Sequence, residues 1–222
     1  MSAPVPSTTA GVDDVCAVLV LLTEFAMLRA PRLRSQVRLY AFQSLVVTAL
    51  AVIVAATHHI GELYGLAAFS FLFKVVAVPA VVLGLLRGSR TDLAGSSVLG
   101  VASMTLIALG ASAFGFFAIG SLHIHAIALP STALSVAMAV VLVAFVLIVL
   151  RSDVVSQAMG FFSLENGVSV ASLVVATGLP LVVDLAFLFD LLVAVVVFGV
   201  IMRAHHGRSR TLSTDELDRL QG

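Results

Sequence analysis

Long apolar runs of about twenty residues, separated by short breaks rich in arginine, glycine or proline, organise the chain from Val12 to Arg203. A helix crossing about 30 Å of hydrocarbon needs around 20 mostly apolar residues. Seven segments have that character: 12–30, which is short between its charges, then 36–57, 63–86, 94–121, 127–150, 154–177 and 180–203. All are far longer than the about 10 residues of a barrel strand, and none alternates polar with apolar positions. The pattern predicts an all-α, polytopic integral membrane protein with seven transmembrane helices.

Composition strengthens this expectation. Of 222 residues, 60% are hydrophobic and 11% charged, and the mean hydropathy is +1.16, more than the core of a water-soluble domain of this size requires. The formal net charge is zero, so no basic field exists to attract nucleic acid. Cys16 is the only cysteine, which excludes an intramolecular disulfide, a cysteine-ligated cluster and a structural zinc site. The opening MSAPVPSTTAGVDD lacks the basic flank of a secretory signal, so the first run is expected to remain as a membrane helix.

Charge placement gives the chain a direction. Arg29, Arg32, Arg34 and Arg38 fall between the first two segments, Arg87 and Arg90 after the third, Arg151 after the fifth, and Arg203, Arg208, Arg210 and Arg219 after the seventh. With seven spans, all these places lie on one side, which the positive-inside rule makes the cytoplasm. The N-terminus is then outside and the C-terminus inside. The preference for arginine over lysine suggests a GC-rich bacterial genome, and hence a bacterial inner membrane.

An internal repeat follows. FSFLFKVVAVPAVVLGLLR, residues 69–87, aligns without a gap on LAFLFDLLVAVVVFGVIMR, residues 185–203, placing Lys74 on Asp190 and Arg87 on Arg203. Phe42-Gln43-Ser44-Leu45 likewise resembles Phe161-Phe162-Ser163-Leu164, just before Glu165. Two three-helix units joined by one span enter the membrane in the same direction, a parallel repeat rather than an inverted one. The expected organisation is an outer tail 1–11, a first repeat 12–87, a linking transmembrane helix within 88–126, a second repeat 127–204 and a cytoplasmic tail 205–222. The linking span is rich in Gly, Ala and Ser, which allows close helix packing.

Three ionisable groups share one depth. Lys74 and Asp190 each stand thirteen residues before an arginine, and Glu165 fourteen after Arg151. A rise of 1.5 Å per residue puts all three about 20 Å from that boundary. A charged layer inside lipid is expensive and is functional by default. Coupled acids and a lysine there suit a proton relay, although a structural ion pair that locks helices together remains the alternative. Pro79 removes a backbone N–H one turn beyond Lys74, and a kink is expected there. Asp184 lies near the outer surface, as a possible proton entry to Asp190 or as an exposed helix-start acid. Glu24, five residues from Arg29, reads as a boundary charge. His58, His59, His123 and His125 cluster at outer helix ends and read as surface histidines, with no metal site assigned. No Ser-His-Asp pattern, phosphate loop or nucleotide fingerprint appears, so the chain is not expected to be catalytic alone.

LRSQVRLYAFQSL, FKVVAVP, and MGFFSLENG followed by FLFDLLVAVVVF resemble the hydrogenase-4 component E family, the membrane subunits of formate hydrogenlyase and related group 4 nickel-iron hydrogenases. The similarity covers nearly the whole chain. Residues 131–205 are also similar to the K subunit of respiratory complex I and the C subunit of multisubunit sodium/proton antiporters. That pattern carries glutamates in its second and third helices: Asp190 matches the later position with a shorter acid, and Glu165 falls about one turn from the earlier one. Gln43 and Lys74 depart from it in the first repeat. The resemblance implies an accessory subunit beside antiporter-like and peripheral partners, which would carry the nickel-iron and iron-sulfur centres, with no cofactor in this chain. A freestanding or antiporter-complex cation/proton transporter is the alternative.

Overall fold

A computed structural model describes residues 7–87, 93–94, 99–121, 131–175 and 199. Six helices account for nearly all of them: α1 Ser7–Arg29, α2 Leu33–His58, α3 Gly61–Arg87, α4 Val101–Gly120, α5 Ser131–Leu150 and α6 Val154–Val175. Four of these, α2, α3, α4 and α5 (from Thr132), are long and apolar enough to cross a membrane. The more polar α1 and α6 pack among them. α1 begins at Ser7, within the stretch 1–11 read from the sequence as an outer tail. The segment 180–203, with Asp184 and Asp190, lies outside the described residues except for Gly199, which sits beside Leu85 of α3.

Two helical hairpins form the centre. Pro31, which cannot continue a helix with its own N–H, follows α1 and turns the chain into α2. Arg151, Ser152 and Asp153 turn α5 into α6, and the Asp153 carboxylate accepts a hydrogen bond from the Ser156 N–H at 2.7 Å, capping the new helix. The Arg151 guanidinium reaches back to the end of α1, donating to the carbonyls of Leu28 at 2.8 Å and Ala30 at 3.4 Å. Those carbonyls have no partner within their own helix, so a buried cation satisfies them. Gln36 also donates to the Ala30 carbonyl, and Ser156 donates to Gln36. The Ala94 N–H donates to the Pro31 carbonyl at 2.9 Å, which brings the segment after α3 to the same place. Three arginine-bearing junctions therefore meet at one end of the bundle.

The opposite end is marked by Thr132, whose hydroxyl donates to Asp14 at 2.9 Å. α1 and α5 thus run the same way, as do α2 and α6. The helix expected to complete the second three-helix unit lies outside the described residues. Between α2 and α3, His59 takes the left-handed conformation at φ 56°, and the Ile60 N–H closes onto the Ala55 carbonyl at 3.1 Å. Such a helix end lets α3 fold directly back.

α5 and α6 approach so closely that side chains are excluded at two points on α6. A Cβ on Gly160 would meet the Ala144 carbonyl at 3.2 Å, and one on Gly167 the Val141 nitrogen at 3.2 Å. Gly115 of α4 meets α5 in the same way, as the small-residue composition of that segment predicts.

The apolar core is divided. One cluster, including Met27, Leu33, Val37, Tyr40, Leu147, Met159 and Phe162, fills the arginine end. A second, including Val20, Val47, Leu50, Val54, Ala137, Val140 and Val174, fills the other. Polar side chains occupy the level between them.

Candidate functional site

The polar level is contributed by α1, α2, α3 and α6. On α3 the regular ladder gives way to a π-helical stretch, Phe71–Ala77, centred on Lys74, in which the Val78 N–H bonds five residues back to Phe73. This stretch ends just before Pro79, the place where the sequence suggested a kink. Pro79 itself is buried at the start of the α-helical remainder. A π segment carries more residues per turn than the helix around it, so it sets the direction of the side chains within it apart from those beyond.

Lys74 reaches inward from this stretch. Its Nζ lies 2.7 Å from Glu165 Oε1 and donates to Ser169 Oγ at 3.2 Å, one turn further along α6. The side chains are 4% and 13% exposed, so the pair is nearly dry. Ser169 in turn donates to the Glu165 carbonyl at 2.8 Å, which fixes the hydroxyl beside the ammonium. Depth counting from Arg87 and Arg151 placed these two residues at one level, and the structure brings them into contact.

Next to the pair is a second polar group that the sequence reading did not anticipate. Glu24, read as a boundary charge, is fully buried. Its position near Arg29 does not put it at a surface, because the α1–α2 turn is covered by Arg151 and because α2 and α6 flank it with polar side chains. Gln43 donates to Glu24 Oε2 at 2.9 Å and to the Val20 carbonyl at 3.2 Å. Ser163 Oγ contacts Glu24 Oε2 and lies 2.8 Å from Gln43 Oε1. Asn166 donates to Gln43 Oε1 at 3.1 Å and to Ser44 Oγ at 2.9 Å. Gln43, Ser44, Ser163 and Asn166 are all buried. A usable signal was present in the sequence: Gln43-Ser44 and Ser163 with Asn166 are polar insertions in otherwise apolar runs.

Ser163, Glu165, Asn166 and Ser169 lie close together along α6, so a single helix carries both polar groups. The arrangement can hold charge and exchangeable hydrogens away from water. Of the other candidates, His58 stands at the end of α2 and His59 just beyond it, whereas Asp184, Asp190, His123 and His125 lie outside the described residues. Among the described residues, no three His, Cys, Asp or Glu side chains converge as metal ligands.

Known proteins give a consistent but distant picture. The chain is 24% identical over 206 residues to hydrogenase-4 component E of Escherichia coli and of Shigella flexneri, covering 93% of this chain and 95% of each relative. It is 40% identical over 90 residues to an uncharacterised protein of Mycobacterium tuberculosis. That stretch covers 40% of this chain and only 39% of the mycobacterial protein. No family model matches, and no solved structure matches.

Proposed function

We propose that this protein is a membrane subunit of a hydrogenase-type complex of the formate hydrogenlyase kind, and that its buried charges form part of a proton-translocating axis. The similarity to hydrogenase-4 component E along almost the full length supports the assembly class. The observation that carries the axis is the Lys74–Glu165 contact, an ion pair between two helices at mid-depth, where an ionised group otherwise costs about 2.5 to 3.5 kcal/mol. Asp190, aligned with Lys74 in the repeat, is the proposed continuation of the axis, and Asp184 its outer entry.

In this reading the chain is not catalytic. Partner chains hold the nickel-iron and iron-sulfur centres, and antiporter-like membrane subunits adjoin it. The complex lies in the bacterial cell membrane, with the N-terminus of this chain outside and its arginine-rich end in the cytoplasm. The relationship to complex I K-type and antiporter C-type subunits belongs to the same proposal.

Purification in a mild detergent tests the assembly: larger partners including a nickel-containing chain are expected, and a lone stable monomer or homodimer would refute it. Within the complex, Lys74→Met and Glu165→Gln test the axis. Hydrogenase turnover measured with an artificial electron carrier is expected to persist, while proton translocation linked to that turnover falls. Proton or cation transport by the purified chain alone in liposomes would favour a freestanding transporter instead.

A further inference from the structure

We infer that Glu24 is a proton-binding site, a carboxyl group held in its neutral, protonated form by the hydrogen-bond pattern of α1, α2 and α6. The inference stands on hydrogen counting and does not depend on membership in a hydrogenase.

Gln43 fixes the directions. One end of its amide faces the Val20 backbone carbonyl at 3.2 Å, and a carbonyl only accepts, so that end is the NH2 group. The same NH2 group donates to Glu24 Oε2. Gln43 Oε1 must then face Ser163 and Asn166 as an acceptor. Asn166 presents its NH2 there and uses its second hydrogen on Ser44. Every amide hydrogen in the group is committed.

Ser163 is left with one hydroxyl hydrogen and two oxygen neighbours, Gln43 Oε1 and Glu24 Oε2. If Glu24 were ionised, one of these contacts would set two lone pairs against each other without a hydrogen. A proton on Glu24 Oε2 supplies the missing donor: Glu24 donates to Ser163 Oγ, Ser163 donates to Gln43 Oε1, and every short contact contains one hydrogen. Among the described residues Glu24 Oε1 has no hydrogen-bond partner, which suits the carbonyl oxygen of a neutral acid far better than half of a buried carboxylate.

The surrounding charges agree. Among the described residues Glu24 makes no ion pair, and the lysine at this level faces Glu165 instead. The titratable group nearest Gln43 on α2 is Tyr40, and on α6 it is Glu165, already matched by Lys74 of α3. α4 and α5 carry no titratable side chain within Val101–Gly120 and Ser131–Leu150. On α1 itself, Arg29 stands more than a turn away at the helix end. Among the described residues at this level one cation balances one carboxylate, and Glu24 is the neutral acid.

Infrared spectroscopy of the full-length chain in lipid nanodiscs at neutral pH, with and without deuterium exchange, tests this. A protonated-carboxyl C=O stretch is expected in the wild type, absent from Glu24→Gln and retained in Glu165→Gln. Ser163→Ala keeps the acid but removes its acceptor, so the band should persist at a shifted frequency, which decides the matter if Glu24→Gln does not fold. A wild type without the band, a band lost with Glu165 rather than Glu24, or an unshifted band in Ser163→Ala would each overturn the inference. So would loss of the band when sodium replaces potassium in the buffer, which would mark the group as a cation site.

Discussion

The two polar groups at the middle of the bundle share α6 and almost the same depth, yet they solve the problem of burial differently. Around Glu24, three helices supply neutral donors and acceptors, and each side chain is fixed by two or more others. At Lys74 and Glu165, opposite charges offset each other across a short contact with the Ser169 hydroxyl beside it. The first group is enclosed by the two central hairpins, whereas the second is reached from α3, whose outer face exposes Phe69, Phe71 and Leu72. A network of neutral groups holds helices in register; a charge pair on an outer helix is open to a partner or to another charge. The difference indicates that the Glu24 group is where the fold is held and the Lys74 pair is where it can respond.

Several substitutions would break or sharpen that contrast. The largest effect is expected from Lys74→Met, which strands Glu165 in the interior and should cost about 3–5 kcal/mol of stability in denaturant unfolding in detergent. Adding Glu165→Gln should recover most of that loss, because no charge is then left unmatched. Gln43→Leu should cost about 1–3 kcal/mol by leaving buried partners unsatisfied, and Glu165→Gln should give no recovery, which would separate the two groups energetically. Gly167→Ala should cost a comparable amount, about 1–3 kcal/mol, by forcing α5 and α6 apart, with both polar groups affected together. The smallest effect is expected at Thr48, whose hydroxyl bonds only the Ser44 carbonyl one turn back. Thr48→Val should change the unfolding midpoint little, since that bond is local and the replacement similar in size. A large effect there would mean the polar level extends further than the contacts show.

Much of this architecture was legible in the sequence because its causes are one-dimensional. Run length predicted α2, α3, α4 and α5 as spanning helices, and the arginine breaks predicted which junctions share an end. The structure confirms that shared end through Arg151, Pro31 and Ala94. Counting residues from Arg87 and Arg151 put Lys74 and Glu165 at one depth, while their contact is a product of helix packing. The same counting failed for Glu24, since distance along a helix measures depth only where the helix end lies at the boundary. The end of α1 is instead covered by the guanidinium of Arg151, 123 residues after Leu28. Gln43 was visible as a polar insertion and as a departure from an acidic pattern, but its role depends on partners brought together by packing. The π-helical stretch around Lys74 had no signal in the sequence, where only Pro79 suggested an irregular helix.

That widening makes α3 a helix with a built-in phase shift. An ordinary helix advances about 100° per residue, so one residue more or fewer within Phe71–Ala77 would rotate everything beyond it by that angle. Val82 and Leu86 could then no longer face the core while Lys74 faces Glu165. The length of this short stretch is therefore a constraint as strict as the identity of the lysine, and a single-residue deletion there should be tolerated far less well than most substitutions within it.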